Sequence, residues 1–274
     1  MYKIKLFYCV IIIFLFAVRS HGQVRPSLQL TFGLAFPGEN FAGELVSAND
    51  SGISNINPDF IKNNYATSTG ATVTGTLKFP IGQSGLISGL FMGSYTYFSA
   101  FRRSVLATSI QNGVAVSGTY DNRFSTTTFG FGIEATPLPN SKFSPFINSS
   151  FTLNILSLSL KKDDFITALF NDAFRMGVLT NAGLTISLND EYSLVIGGSY
   201  HLSNLFLKSN SSDFEDRITN NRESLPINDK GGEFYTNLSN PGLFPSLVNG
   251  TDKNVNWWNL NIGLNILLGK SNKK

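Results

Sequence analysis

The chain has 274 residues, 42% of them hydrophobic and 13% aromatic, and only 14% charged, where ordinary soluble domains carry about 25% charged residues. So little charge beside 24 Phe and 25 Gly argues against a typical soluble enzyme and against a disordered chain. A mean hydropathy of +0.04 is too low for a bundle of membrane-spanning helices.

The first residues alter the charge balance. Lys3 and Lys5 precede an apolar run from Leu6 to Val18, and Ser20-His21-Gly22 supplies small residues ahead of Gln23. This is the pattern of a secretory signal peptide over residues 1–22. Its removal takes Cys9, the one cysteine, so disulfide and thiolate chemistry are not expected in the mature chain, 23–274. It also takes Lys3, Lys5 and Arg19, three of 21 basic residues, leaving 18 against 18 acidic ones. A nucleic-acid partner, which needs a basic patch, is therefore not expected.

From there the chain reads with a period of two. Leu28, Leu30, Phe32, Leu34 and Phe36 alternate with Gln29, Thr31, Gly33 and Ala35 across 27–37, the length of a membrane-crossing strand. A second strand over 67–79 sets Ala71, Val73, Leu77 and Phe79 against threonines and Lys78. A third, over 86–101, has blurred faces. A fourth, over 123–136, sets Phe129, Phe131 and Ile133 against Gly130, Gly132 and Glu134. A fifth (144–155), a sixth (175–188) and a seventh (192–204) follow, the seventh carrying Ser199, His201 and Ser203 on its polar side. The eighth places Trp258, Leu260, Ile262, Leu264, Ile266 and Leu268 opposite Asn259, Asn261, Gly263 and Asn265.

The connections alternate between long (38–66, 102–122, 156–174, 205–255) and short (80–85, 137–143, 189–191). Short turns on one rim and long loops on the other predict an all-β fold: an eight-stranded antiparallel up-and-down transmembrane β-barrel, with short periplasmic turns and long extracellular loops. The polar face carries Gly, Ser, Thr and Asn rather than surface charge. That suits a crowded interior, and the Leu/Ile/Phe face suits hydrocarbon. Tyr95, Tyr97, Phe98, Phe101, Trp257 and Trp258 at one rim, and Phe79, Phe143, Phe146 and Tyr192 at the other, are expected to form two aromatic girdles.

On these strands, and on the terminal segment Asn261 to Leu268, the chain resembles the small eight-stranded outer-membrane barrels of the OmpA/OmpX-like, porin-family group, in a form similar to that of Bacteroidota. The resemblance implies that Asn261, Gly263, Ile266 and Leu268 are an assembly signal read by the barrel-insertion machinery. It also implies a bacterial outer-membrane location among outer-membrane lipid.

Few residues suggest chemistry. Lys78 and Glu134 are isolated charges on the interior face. Across a narrow lumen they are expected to pair, with a proton or ion gate as the sharper alternative. His201 is expected to hydrogen-bond inside the barrel. A Ser-His hydrolase is the alternative, but side chains two apart on one strand lie about 7 Å apart, too far for proton transfer. One mature His and no Cys predict no metal site, and no cofactor is expected: Asp213, Glu215 and Asp216 do not match a calcium loop, and no phosphate-binding motif occurs. In the third long connection, Asp163 or Asp164 could cap a helix whose apolar face holds Phe165, Ile166, Leu169, Phe170, Ala173 and Phe174. The last loop carries Phe234, Tyr235 and Phe244, and is too long to be an idle connection.

The expected function is therefore non-enzymatic: a barrel anchor with loops as working surface, as an accessory subunit of a larger outer-membrane complex of secretion or barrel-assembly type with other outer-membrane proteins as partners. The alternatives are a narrow ion or water channel and a lipid-modifying enzyme.

Overall fold

The computed structural model describes residues 25–38, 41–43, 46–48, 54–56, 67–111, 114–139, 141–162, 165–170, 172–209, 224–225, 227, 229–230 and 252–269. The expected signal peptide, Asp163, Asp164, the acidic cluster at 213–216, Phe234, Tyr235 and Phe244 lie outside the described residues.

Among the described residues twelve strands follow in order: β1 (Ser27–Pro37), β2 (Val46–Ala48), β3 (Ser54–Ile56), β4 (Gly70–Ile81), β5 (Ile87–Gln111), β6 (Val114–Ala135), β7 (Phe143–Lys162), β8 (Phe165–Phe170), β9 (Ala173–Ser187), β10 (Tyr192–Phe206), β11 (Ser224–Leu225) and β12 (Asn256–Leu267). Eight of them close a ring in the order β1-β4-β5-β6-β7-β9-β10-β12, and every pairing within it is antiparallel. The fold is the closed eight-stranded barrel that the alternation predicts.

The register fixes its shape. The line of paired residues from Ser27 runs through Lys78, Leu90, Gly132, Ser150, Leu179, His201 and Trp257, and returns to β1 at Pro37, ten positions further along. A stagger of ten over eight strands tilts them by roughly 40–45° and leaves an interior just wide enough for side chains. So tight a ring needs positions without a Cβ. At Gly263 an added Cβ would land on the carbonyl oxygen of Leu30 in the neighbouring strand. Gly263→Val is therefore expected to lower stability by about 1–3 kcal/mol, read as an earlier urea midpoint in lipid vesicles.

The faces sort as the sequence implies. Phe32, Ile133, Leu260 and Ile262 point outward and are more than half exposed, while Gln29, Thr31, Thr72, Asn148 and Asn259 are buried inside. A water-soluble barrel has the opposite arrangement, and an exposed apolar surface this continuous needs hydrocarbon against it. Strand β5 blurs because it is apolar on both faces. Leu90, Met92 and Phe98 are buried inside, while Tyr95 and Tyr97 face out.

Three aromatics expected at the rims point into the barrel instead. Phe98 and Trp257 are fully buried and Phe146 nearly so. Composition at a strand end does not distinguish a girdle from a plug; only the phase of the alternation does. Tyr95, Tyr97, Phe143, Tyr192 and Trp258 do face outward.

Two expected loops are largely strand. Pairing between β4 and β5 stops at Gly70 and Phe98, yet β5 and β6 continue as a ribbon to Gln111 and Val114. The dipeptide Asn112-Gly113 between them, flanked by β-formers, is a strong hairpin signal that the loop reading passed over. Likewise β7 runs on to Lys162, and Phe165–Phe170 is not the expected helix but β8, paired back onto β7. Six residues fit both periods, and the open edge of β7 decides for strand. With β11 laid parallel on β8, these strands make a sheet that carries on beyond the ring.

Candidate functional site

Two plugs and a small chamber occupy the lumen. The lower plug stands near the short-turn rim. Lys78 on β4 donates through Nζ to both carboxylate oxygens of Glu134 on β6, at 2.7 and 2.8 Å. Asn148 Nδ2 donates to the same carboxylate at 3.1 Å, and the ammonium lies 4.9 Å from the centre of the Phe146 ring. Both charged residues are buried. The sequence-predicted ion pair therefore forms, with the added amide donor and aromatic face that a desolvated pair requires. Beneath it a cup of about 310 Å³ opens at the short-turn rim, edged by Arg25, Ser27, Ser88, Thr136, Ser187 and Asn265 among others.

The upper plug is aromatic. Phe41 packs edge-on against Phe98 and Phe124, each with ring centres 4.6 Å apart. Trp257 closes the group, 5.4 Å from Phe98 and 4.3 Å from the ring of His201. His201 is buried, and its Nε2 shares a 3.2 Å hydrogen bond with Thr152 Oγ1. Its strand neighbours are committed elsewhere. Ser199 Oγ accepts from Asn259 Nδ2 at 2.9 Å, and Ser203 Oγ donates to the Val255 carbonyl at 2.8 Å. A hydrolytic pair needs the serine within reach of the imidazole, and neither serine is bonded to it. His201→Gln is thus expected to leave the lipid A and phospholipid composition of the cell unchanged, as read by lipid mass spectrometry.

Between the plugs lies a chamber of about 30 Å³, lined by residues including Gln29, Lys78, Ser150, Asn181, Asn259 and Asn261. That is room for about one or two waters. Gln29 Oε1, Asn181 Oδ1, Asn259 Oδ1, Asn261 Oδ1 and Ser150 Oγ have no protein hydrogen-bond partner among the described residues, so the chamber wall is rich in acceptors. Among the described residues the Lys78–Glu134 pair stands below this chamber and the aromatic group above it.

Above the aromatic plug is a site the sequence did not reveal. Asp229, fully buried, belongs to the last long connection. Arg175 on β9 donates to its two carboxylate oxygens through Nη2 and Nε, both at 2.8 Å. Asn204 Nδ2 adds a bond at 2.8 Å and the Ser209 amide one at 2.9 Å. Arg175 Nη2 also reaches the Ile227 carbonyl at 2.9 Å. Arg175 itself falls on the inward phase of β9, and a buried guanidinium requires an acid. In sequence the acid stands 54 residues away in a loop, so spacing could not have found it.

The remaining sequence candidates are dispersed. Asn261 and Gly263 sit in β12, the latter packed against β1. Leu268 just follows that strand, its amide bonded to the Pro26 carbonyl at 2.7 Å. Phe165, Leu169 and Phe170 lie in β8. Among the described residues no three of His, Cys, Asp and Glu come together in a metal-binding group.

No family model and no curated protein matches the chain. Solved structures do. Neisserial surface protein A is similar over 89% of this chain and 97% of its own, with 13% identity and a TM-score of 0.43. Ail, the attachment invasion locus protein of Yersinia pestis, seen with the heparin analogue sucrose octasulfate, is similar over 89% of this chain and 100% of its own, at 12% identity and a TM-score of 0.37. Outer membrane protein W of E. coli covers 91% of this chain and 100% of its own, at 12% identity and a TM-score of 0.29.

Proposed function

We propose that the chain is a non-enzymatic barrel of the bacterial outer membrane that anchors an interaction surface, as an accessory subunit of a larger outer-membrane assembly. One observation carries this reading. The lumen is filled at both ends, while β5, β6, β7 and β8 run on beyond the ring as a sheet. A filled barrel is a rigid support, and recognition concentrates on what a rigid support displays. The outward apolar belt supports the membrane location, and residues 1–22 supply the export signal. In the same reading, Asn261, Gly263, Ile266 and Leu268 present the last strand to the insertion machinery. Phe165, Leu169 and Phe170 of β8, with Phe234, Tyr235 and Phe244 of the last connection, are the residues offered to partners.

The test is gentle extraction of the tagged chain from its native membrane, followed by native mass and identification of companions. A stoichiometric companion that is lost on deleting 234–248, with the barrel still folded, is the expected result. A chain that extracts alone under conditions preserving other membrane complexes contradicts the subunit role.

A further inference from the structure

The chamber between the plugs gathers oxygen acceptors from four strands of the ring. Gln29 Oε1 comes from β1, Ser150 Oγ from β7, Asn181 Oδ1 from β9, and Asn259 Oδ1 and Asn261 Oδ1 from β12. All of these atoms are buried and have no protein hydrogen-bond partner among the described residues. Gln29, Ser150 and Asn259 are more than nine-tenths buried as whole residues. The wall itself orients the amides. Asn259 Nδ2 and Asn261 Nδ2 both donate to Ser199 Oγ, at 2.9 and 3.3 Å, which turns the nitrogens toward β10 and leaves the oxygens on the chamber wall. The serine has a single proton and cannot donate to both amides in a reversed arrangement. Two glycines on the inward phase leave room for the oxygens. A Cβ added at Gly33 would strike Asn261 Oδ1, and one at Gly197 would come within 3.3 Å of Asn181 Oδ1.

Water satisfies such a wall poorly. The chamber's 30 Å³ holds roughly one or two waters. Two waters so close bond to each other and use a proton in doing so, which leaves too few for the amide oxygens of Gln29, Asn181, Asn259 and Asn261. A bare cation accepts all of these oxygens at once. The donor set also selects the cation. Neutral, hard oxygens suit a hard ion, and no Asp or Glu lines the chamber to offset a double charge, as calcium sites require. Lys78 reaches the chamber, but its ammonium is held by both oxygens of Glu134, so that pair adds no net charge.

We propose that Gln29, Ser150, Asn181, Asn259 and Asn261 form a buried site for one monovalent alkali cation, sodium or potassium, held by neutral oxygens between the two plugs. The ion ties β1, β7, β9 and β12 together across the lumen. In the unfolded chain these residues are dispersed and the site does not exist, so the cation stabilises the folded barrel by mass action. The inference concerns the wall of the lumen alone and is independent of whether the loops dock a partner.

Urea unfolding of the chain in phosphatidylcholine vesicles tests it. Sodium chloride and, separately, potassium chloride are varied against choline chloride, which keeps the ionic strength constant and supplies a cation too large for the chamber. Above saturation, each tenfold rise in the ion that fits is expected to raise the folded-to-unfolded ratio about tenfold. Asn181→Leu keeps the side-chain volume and removes one acceptor. It is expected to cut that dependence to less than half, with the heat-modifiable migration of a folded barrel retained. A wild-type ratio that responds to neither alkali ion overturns the proposal and leaves water as the occupant. So does a response that Asn181→Leu keeps at half or more, since the ion then acts elsewhere, at the lipid headgroups or the outer connections. If Asn181→Leu does not fold, Gln29→Met removes another of the acceptors and carries the same outcomes.

Discussion

Replacing Glu134 by Ala is expected to destabilise the barrel by about 3–5 kcal/mol, because it strands the Lys78 ammonium inside the wall. The ammonium keeps only the face of Phe146, and the Asn148 amide loses its acceptor. Removing both charges together, as Lys78→Met with Glu134→Leu, is expected to cost far less, since no buried charge remains. The two single variants and the double variant form a cycle. Urea unfolding of each in lipid vesicles gives a coupling of several kcal/mol if the pair is desolvated as the structure has it. Additive effects would mean that the two side chains are separately solvated. The contrast also separates structural pairing from gating. A gate residue changes conductance when substituted, whereas a structural pair changes stability and leaves the lumen shut.

The second large effect concerns the outer face. Ile262 on β12 is more than half exposed and pairs across the ladder with Phe32 of β1. It stands midway between the two rims. Ile262→Arg is expected to cost about 2–4 kcal/mol in a bilayer, the penalty for an arginine at the midplane of a barrel wall. The same substitution near the rim, at Tyr192, is expected to cost about 0–1 kcal/mol. Unfolding free energies in vesicles of both variants check this depth dependence. If both substitutions cost nothing, the face is wetted by water and the barrel is not in hydrocarbon.

The ring was legible because period-two alternation survives in seven of its eight strands, from Leu28–Phe36 to Trp258–Leu268. Where one phase is apolar and the other small and polar, the faces follow directly. In β5 the signal is lost at Leu90, Met92 and Phe98, apolar side chains that fill the lumen. The outer sheet was misread for a different reason. Long segments between membrane strands read as loops, although Asn112-Gly113 marks a hairpin. The Lys78–Glu134 pair was readable because charges are scarce on the interior face, so each had one natural partner. Arg175–Asp229 was not, since Asp229 is one acid among many in a polar loop and only the folded mouth selects it. The aromatic plug was hidden in the same way, because Phe41 has no strand context and Trp257 adjoins the outward-facing Trp258.

A barrel filled at both ends should anchor rather than conduct. Single-channel recording of the wild-type chain in planar bilayers tests this most directly, with folded insertion verified on the same preparation. The expected record is silent across the voltage range. Discrete, reproducible openings of the unmodified protein would contradict the closed lumen, and with it the reading of the barrel as a solid support.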